Sequence, residues 1–188
     1  MRVISGKFKK KKLLLPNAET TRPLRDYVKE SIFNLLTHSK LLNFQFNKSN
    51  ILDIFSGSGS FGIECISRGA PKVVFLEKEK KVLDILIKNI NNIYIKEQCE
   101  VISGDILKIN FNNLITSNLN LIFLDPPFKY KFFYDLFVKF AHYKNKLDSS
   151  LFIIHHEDIN NFEFKSFFNI ILKKKYGKSV ILFAKLKI

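Results

Sequence analysis

Ile51-Leu52-Asp53-Ile54-Phe55-Ser56-Gly57-Ser58-Gly59 is the stretch on which the reading of this chain turns. Ile51–Phe55 is an apolar run short enough to be a buried strand, and Gly57–Gly59 predicts a tight turn. Phe61 to Ser67 then reads as a helix closed by Gly69-Ala70-Pro71. In an open α/β sheet, ligands bind over such strand–turn–helix units, at the carboxyl ends of the strands. Gly57 and Gly59 let the backbone turn and approach a ligand closely. No Gly-Lys-Ser/Thr follows, which argues against a nucleoside triphosphate P-loop.

Outward from this unit the chain alternates strand and helix. Strands are expected at Val73–Leu76, Val101-Ile102, Leu121–Leu124 and Leu151–Ile154, and helices at Glu79 to Ile93 and Phe133 to Phe140. Val82, Ile85, Leu86, Asn89, Ile90 and Ile93 share one face of the first of these helices. Ile170–Lys173 and Val180–Lys185 read as a terminal antiparallel pair around Gly177. Upstream, Val28, Ile32, Leu35 and Leu36 recur at helical spacing after a Thr20-Thr21-Arg22-Pro23 loop. Near-continuous apolar strands alternating with helices imply an α/β fold with a mostly parallel sheet covered on both faces. Arg2–Ile4 and Lys12–Leu15 predict a small basic hairpin around Gly6-Lys7. Residues 1–20 are thus expected to be an N-terminal extension and residues 21–188 the main domain.

Composition narrows the class. The chain has 188 residues, 46% of them hydrophobic, enough for one domain with a real core. No apolar stretch is long enough to span a membrane, and Met1–Gly6 lacks a signal peptide's apolar block, so a cytoplasmic monomer is expected. Cys65 and Cys99 form no Cys-x-x-Cys pair and are expected to be reduced and to fill core space. The net charge of +14 favours a polyanionic partner, with nucleic acid ahead of an anionic membrane. AT-rich coding bias would also raise lysine, so position counts for more. Arg2, Lys7, Lys9, Lys10, Lys11 and Lys12 crowd the N-terminus, joined by Arg22 and Arg25, and Lys173, Lys174, Lys175 and Lys178 form a second cluster. Two such clusters flanking one site would form a phosphate track.

Acids recur at the strand ends. Glu77 ends the second strand, 24 residues after Asp53, where a carboxylate can accept both hydroxyls of a ribose. Asp105 ends the third, with Ile106 beside it, and is placed to meet an adenine amine. Asp125 ends the fourth. A ring of carboxylates without metal-ligand partners suits a polar, cationic ligand better than a phosphate. S-adenosylmethionine, with its ribose, amino group and sulfonium, therefore outranks NAD. Asp53, Phe55, Gly57, Ser58, Gly59, Glu77, Asp105 and Ile106 are the expected cofactor residues.

Asp125-Pro126-Pro127-Phe128 supplies the other half of a reaction. An exocyclic amine on a base has its lone pair delocalised into the ring. The Asp125 carboxylate and the Pro126 carbonyl can accept its hydrogens, draw the nitrogen toward tetrahedral geometry and offset the developing charge. The prolines preset these acceptors, and Phe128 can stack on the base. An unshifted Asp is too weak a base to deprotonate the amine first, so proton loss follows an in-line transfer without a covalent enzyme intermediate. His155-His156-Glu157 does not read as a metal site, because adjacent residues on a strand point to opposite sides. Glu157 is expected to line the base pocket and Tyr130 to cover the sheet.

These residues resemble the class I methyltransferases that methylate amines, and more closely the RsmD-type bacterial 16S ribosomal RNA guanine-N2 methyltransferases. The resemblance runs through Arg2-Val3-Ile4-Ser5-Gly6-Lys7, Leu13, Arg22-Pro23, Asp26, Val28, Lys29-Glu30 and Ile32-Phe33-Asn34. It continues in Asp53–Gly59, Gly62, Glu64, Ser67-Arg68-Gly69-Ala70, Glu77 and Asp125–Phe128. It implies a Rossmann-like fold with a seven-stranded sheet, S-adenosylmethionine as donor, and a guanine of 16S rRNA in an assembled or partly assembled small ribosomal subunit as acceptor. The N-terminal hairpin and the loop after it would grip RNA and close over the cofactor. Leu24 and Arg25 stand where the family has small hydroxyl residues, and Lys10-Lys11 where its hairpin often has glycine. An adenine-N6 methyltransferase of DNA or RNA, or a non-catalytic ribosome-assembly module, are the competing readings.

Overall fold

A computed structural model of the chain describes residues 1–16, 24–114, 119–127, 131–157 and 163–187. Thr20–Pro23, Phe128 and Tyr130 therefore lie outside the described residues. The strands are β1 (Asn50–Ile54), β2 (Lys72–Glu77), β3 (Cys99–Ser103), β4 (Leu119–Leu124), β5 (Leu151–Glu157), β6 (Phe168–Tyr176) and β7 (Ser179–Leu186). They form one seven-stranded sheet in the order β3-β2-β1-β4-β5-β7-β6. The pairs among β1 to β5 are parallel, whereas β7 runs antiparallel to β5 and to β6. The helices are α1 (Asp26–His38), α2 (Ser60–Ser67), α3 (Lys80–Ile93), α4 (Phe133–His142) and the single turn α5 (Lys144–Leu147).

Strand alternation divides the core into two. Ile51, Val73, Phe75, Leu121, Phe123, Ile153, Ile181 and Phe183 face α1, α2 and α3. Leu52, Ile54, Val74, Leu76, Ile122, Leu124, Phe152, Ile154, Val180 and Leu182 face the side covered by α4. Both faces of the sheet are buried, which is why its strands read as unbroken apolar runs. Aromatic packing is dense on each side. Phe61 stacks on Phe123 with centroids 3.8 Å apart, and Phe137 meets Phe168 edge-on at 4.8 Å. Because β2 and β3 extend one way from β1 while β4 and β5 extend the other, the topology reverses between β1 and β4. Open α/β sheets take their ligands at such a reversal, beyond the carboxyl ends of the strands.

Several expected boundaries move. β5 runs past Ile154 to Glu157, because His155, His156 and Glu157 pair with Ile181, Val180 and Ser179 of β7. β6 continues through Lys173, Lys174 and Lys175 to Tyr176, as an edge strand can with charges turned to solvent. The largest correction is at the N-terminus. The two expected hairpin arms do meet, through Val3 N to Lys11 O, Lys10 N to Val3 O and Leu13 N to Met1 O, but their regular pairing is limited to one antiparallel bridge, Arg2 with Lys12. The reason is competition for the backbone. The amides of Ile4 and Ser5 donate to the buried carboxylate of Glu64, at 2.6 and 3.0 Å, so they are not available to a ladder. Lys7 N donates to Ser67 O at 2.7 Å, and Phe8 N to Ser67 Oγ. Only glycine fits between them: a Cβ on Gly6, at φ 79°, would lie 1.8 Å from Ser67 O. Val3 and Leu13 join the helical-side core.

Candidate active site

The strand-end acids do gather on one side of one edge. Asp53, Glu77, Asp125 and His155 are each an even number of residues from strand positions that face α1 to α3, so all four point toward that side. The register pairs Ile54 with Leu76 and Leu124, and Leu124 with Ile154. Glu77, Asp125 and His155 therefore form the row just beyond Asp53.

Asp53 lies buried below this row. It is 1% exposed, and its Oδ2 accepts from Gly62 N at 3.0 Å, tying β1 to the first turn of α2. Burial holds its carboxyl well above the usual carboxylate range. The Gly62 amide opposes that shift, and the charges of Asp125 and Glu77 add to it. Gly57, Gly59 and Gly62 stand at the spacing of a dinucleotide-binding turn, but here the Gly62 amide serves Asp53 and not a pyrophosphate. Gly59 caps α2 at φ 79°, where a Cβ would meet Leu86 at 2.3 Å. Phe55 also takes a left-handed φ of 64°, a conformation that side chains resist by about 1 kcal/mol. Ser58 is buried beneath this turn.

Glu77 braces the turn from the neighbouring strand. Its Oε2 accepts from Gly57 N at 2.9 Å, and its Oε1 from Lys78 N and Glu79 N at 2.8 and 2.9 Å. A carboxylate has about four lone-pair sites, so capacity remains for a hydroxyl. Asp105 caps its own loop through Leu107 N at 3.0 Å and pairs with Lys78 Nζ at 3.2 Å. The Leu107 amide first, then Lys78, hold its carboxyl below the usual range. Ile106 is buried in the core on the α4 side, so its side chain supports the loop from beneath. Asp125 is partly open, 21% exposed, and its Oδ1 lies 2.7 Å from His155 Nδ1. Pro126 is buried and Pro127 exposed.

The basic residues are less concentrated. Lys7, Lys9, Lys10, Lys11, Lys12 and Arg2 are exposed, but Lys7 is anchored at the far end of α2, about 12 Å of helix from the glycine turn. Lys174, Lys175 and Lys178 lie near the β6–β7 turn, which falls on the same sheet edge as Asp125. Arg25 precedes α1 and donates to Tyr27 Oη at 3.4 Å.

Four groups around the site were not assigned roles from the residue pattern. Lys29 is fully buried, and its Nζ donates to Arg2 O at 3.0 Å and Ser60 Oγ at 3.3 Å. Asn89 donates to Ser58 O at 2.9 Å and Leu14 O at 3.0 Å, and accepts from Leu14 N at 2.8 Å. Lys139 donates to the carbonyls of Ile106, Leu107 and Ile109, fastening the Asp105 loop. His155 touches Asp125. Asn89 had left a signal: a polar residue on the apolar face of a helix is a buried group that must be bonded. His155 had left one too, in its parity with Ile153.

The fold is that of Rossmann-like methyltransferases. An RNA methyltransferase from Salinibacter ruber, solved with S-adenosyl-L-homocysteine, aligns at a TM-score of 0.62 and 14% identity over 88% of this chain and 94% of that one. A Haemophilus influenzae structure described provisionally as a methylase aligns at 0.73 and 29% identity over 100% and 99% of the two chains. Residues 1–185 match the family described as "Conserved hypothetical protein 95", and the chain belongs to that family. It is similar to ribosomal RNA small subunit methyltransferase D of Haemophilus influenzae, at 39% identity over 131 residues. That alignment spans 69% of this chain and 65% of the relative's length.

Proposed function

We propose that this protein transfers a methyl group from S-adenosylmethionine to the exocyclic N2 of a guanine in 16S rRNA of the small ribosomal subunit. The observation that carries the reading is the position of Asp125. It directly follows β4, partly open, across the topological reversal from the glycine turn after β1. The family and the names of its curated relatives support the rRNA substrate.

The residues present fit the cofactor. Gly57 turns at φ 57° with open space on its Cβ side, its nearest neighbour there being Phe55 O at 3.9 Å. Glu77 would take the ribose hydroxyls beside this opening, and Asp105 the adenine amine. The negative charges of Glu77 and Asp125, which act together on Asp53, favour a cationic ligand over a phosphate. When bound, S-adenosylmethionine supplies an electrophilic methyl group on a sulfonium. Asp125 and the Pro126 carbonyl accept hydrogen bonds from the guanine amine, so its lone pair localises on nitrogen. The carboxylate offsets the positive charge that forms there, and the proton leaves after the transfer. Lys12, Arg2 and the lysines of the β6–β7 turn would hold phosphates.

The test is complementation of a bacterial strain lacking this modification, followed by mass spectrometry of nuclease-digested 16S rRNA. The wild-type chain should restore N2-methylguanine, and Asp125→Ala should not, while still binding S-adenosylhomocysteine by calorimetry. Methylated adenine with unmodified guanine would sink the guanine assignment. Unmethylated rRNA from a folded wild-type chain would favour an assembly module.

A further inference from the structure

We propose that His155 is a positioning residue: its ring holds one oxygen of the Asp125 carboxylate so that the other is aimed at the acceptor amine. This rests on the methyl-transfer reading above.

The geometry begins with what Asp125 lacks. An aspartate after a strand ordinarily fixes its carboxylate on the amides of the next residues, as Asp105 does on Leu107 N. The two residues after Asp125 are prolines and have no amide hydrogen to give. The donor comes from across the sheet instead, from His155 Nδ1 at 2.7 Å to Asp125 Oδ1. An ionised carboxylate only accepts, so Nδ1 carries the hydrogen in this bond. The torsion that turns a carboxylate is broad and two-fold, and one such bond removes most of its freedom.

The imidazole is itself held. Its side chain is 6% exposed. Its backbone lies within the β5–β7 ladder, opposite Ile181, so the ring cannot slide along the sheet. The next residue does separate work on the other face, where the His156 ring stacks on Phe164 at 4.5 Å. Thus the adjacent histidines serve a carboxylate on one side and the core on the other. Reactive groups need orientation as well as proximity, and small misplacements cost large factors in rate.

The test uses the full-length protein and small subunits isolated from a strain lacking the modification. His155→Ala should lower kcat roughly ten- to a hundredfold. Its affinity for S-adenosylhomocysteine, read by calorimetry, should stay near that of the wild type. His155→Asn, whose amide can replace the Nδ1–H donor, should recover much of the loss. His155→Phe fills the space without a donor and should remain as slow as the alanine variant. The inference is overturned if His155→Ala keeps wild-type kcat, if phenylalanine rescues as well as asparagine, or if the loss lies in cofactor affinity. Asp125→Ala separates the two readings. If that variant stays active, the methyl-transfer assignment of Asp125 fails; if it is dead while the His155 variants are normal, only the present inference fails.

Discussion

Among single residues, Asp53 carries a structural bond that its motif position did not announce. The strand–turn pattern located it, but the carboxylate turns inward to Gly62 N and so shapes the turn from below. Its raised pKa sets a sign. The folded protein binds this proton more tightly than the unfolded chain does, so the associated stability is complete below the ordinary carboxylate pKa. It is lost as pH rises toward the folded value. Asp53→Asn removes the titration. Thermal melts from about pH 4 to about pH 8 should therefore show the variant gaining on the wild type as pH rises. A gap independent of pH would refute the account. The thiols make a second prediction. Burial pushes Cys65 far up, and pushes Cys99 up to about 12. Neither should react appreciably with a thiolate-directed reagent at neutral pH until the protein is unfolded, and fast labelling of the native protein would contradict this.

Elements were legible where one physical signal dominated. β1, β2 and β4 are buried on both faces, so their apolar runs and bounding glycines placed them to within a residue or two. β5 and β6 ran long because their ends carry histidines and lysines, which local pattern assigns to loops. Pairing with β7 decided otherwise. The N-terminal hairpin is shorter than expected for a related reason. Its arms pair through Val3, Lys10 and Leu13, but Glu64, Ser67 and Asn89, 59 to 75 residues away in sequence, claim the amides of Ile4, Ser5, Phe8 and Leu14. Gly6→Ala should break this dock, since the added carbon collides with backbone and the φ is left-handed. A loss of about 1–3 kcal/mol is expected. Hydrogen exchange should rise in residues 1–14 while the sheet stays protected; unchanged protection there would overturn the docking account.

For the whole molecule, the chain folds so that the N-terminal segment and the glycine turn share buried connections. Lys29 links Arg2 to Ser60, and Asn89 links Leu14 to Ser58. Net charge also acts at this scale. With a net charge of +14, the proposed binding to rRNA should weaken steeply with salt, by about 0.7 to 0.9 log units per log unit of salt for each phosphate neutralised. Replacing Lys174, Lys175 and Lys178 together by Gln should flatten that slope by two to three such increments, as read by filter binding over a salt series. An unchanged slope would remove the β6–β7 turn from the proposed track. By itself, the sequence determined the alternation of strands and helices, the sheet's double burial, and the edge on which acids collect. Those follow from periodicity, strand length and turn chemistry, all of which act between near neighbours. Partners of two of those acids were decided by the tertiary structure alone: the Gly57 amide for Glu77 and His155 for Asp125. Both are hydrogen bonds between segments that only strand order and register bring within 3 Å, and no local pattern encodes that order.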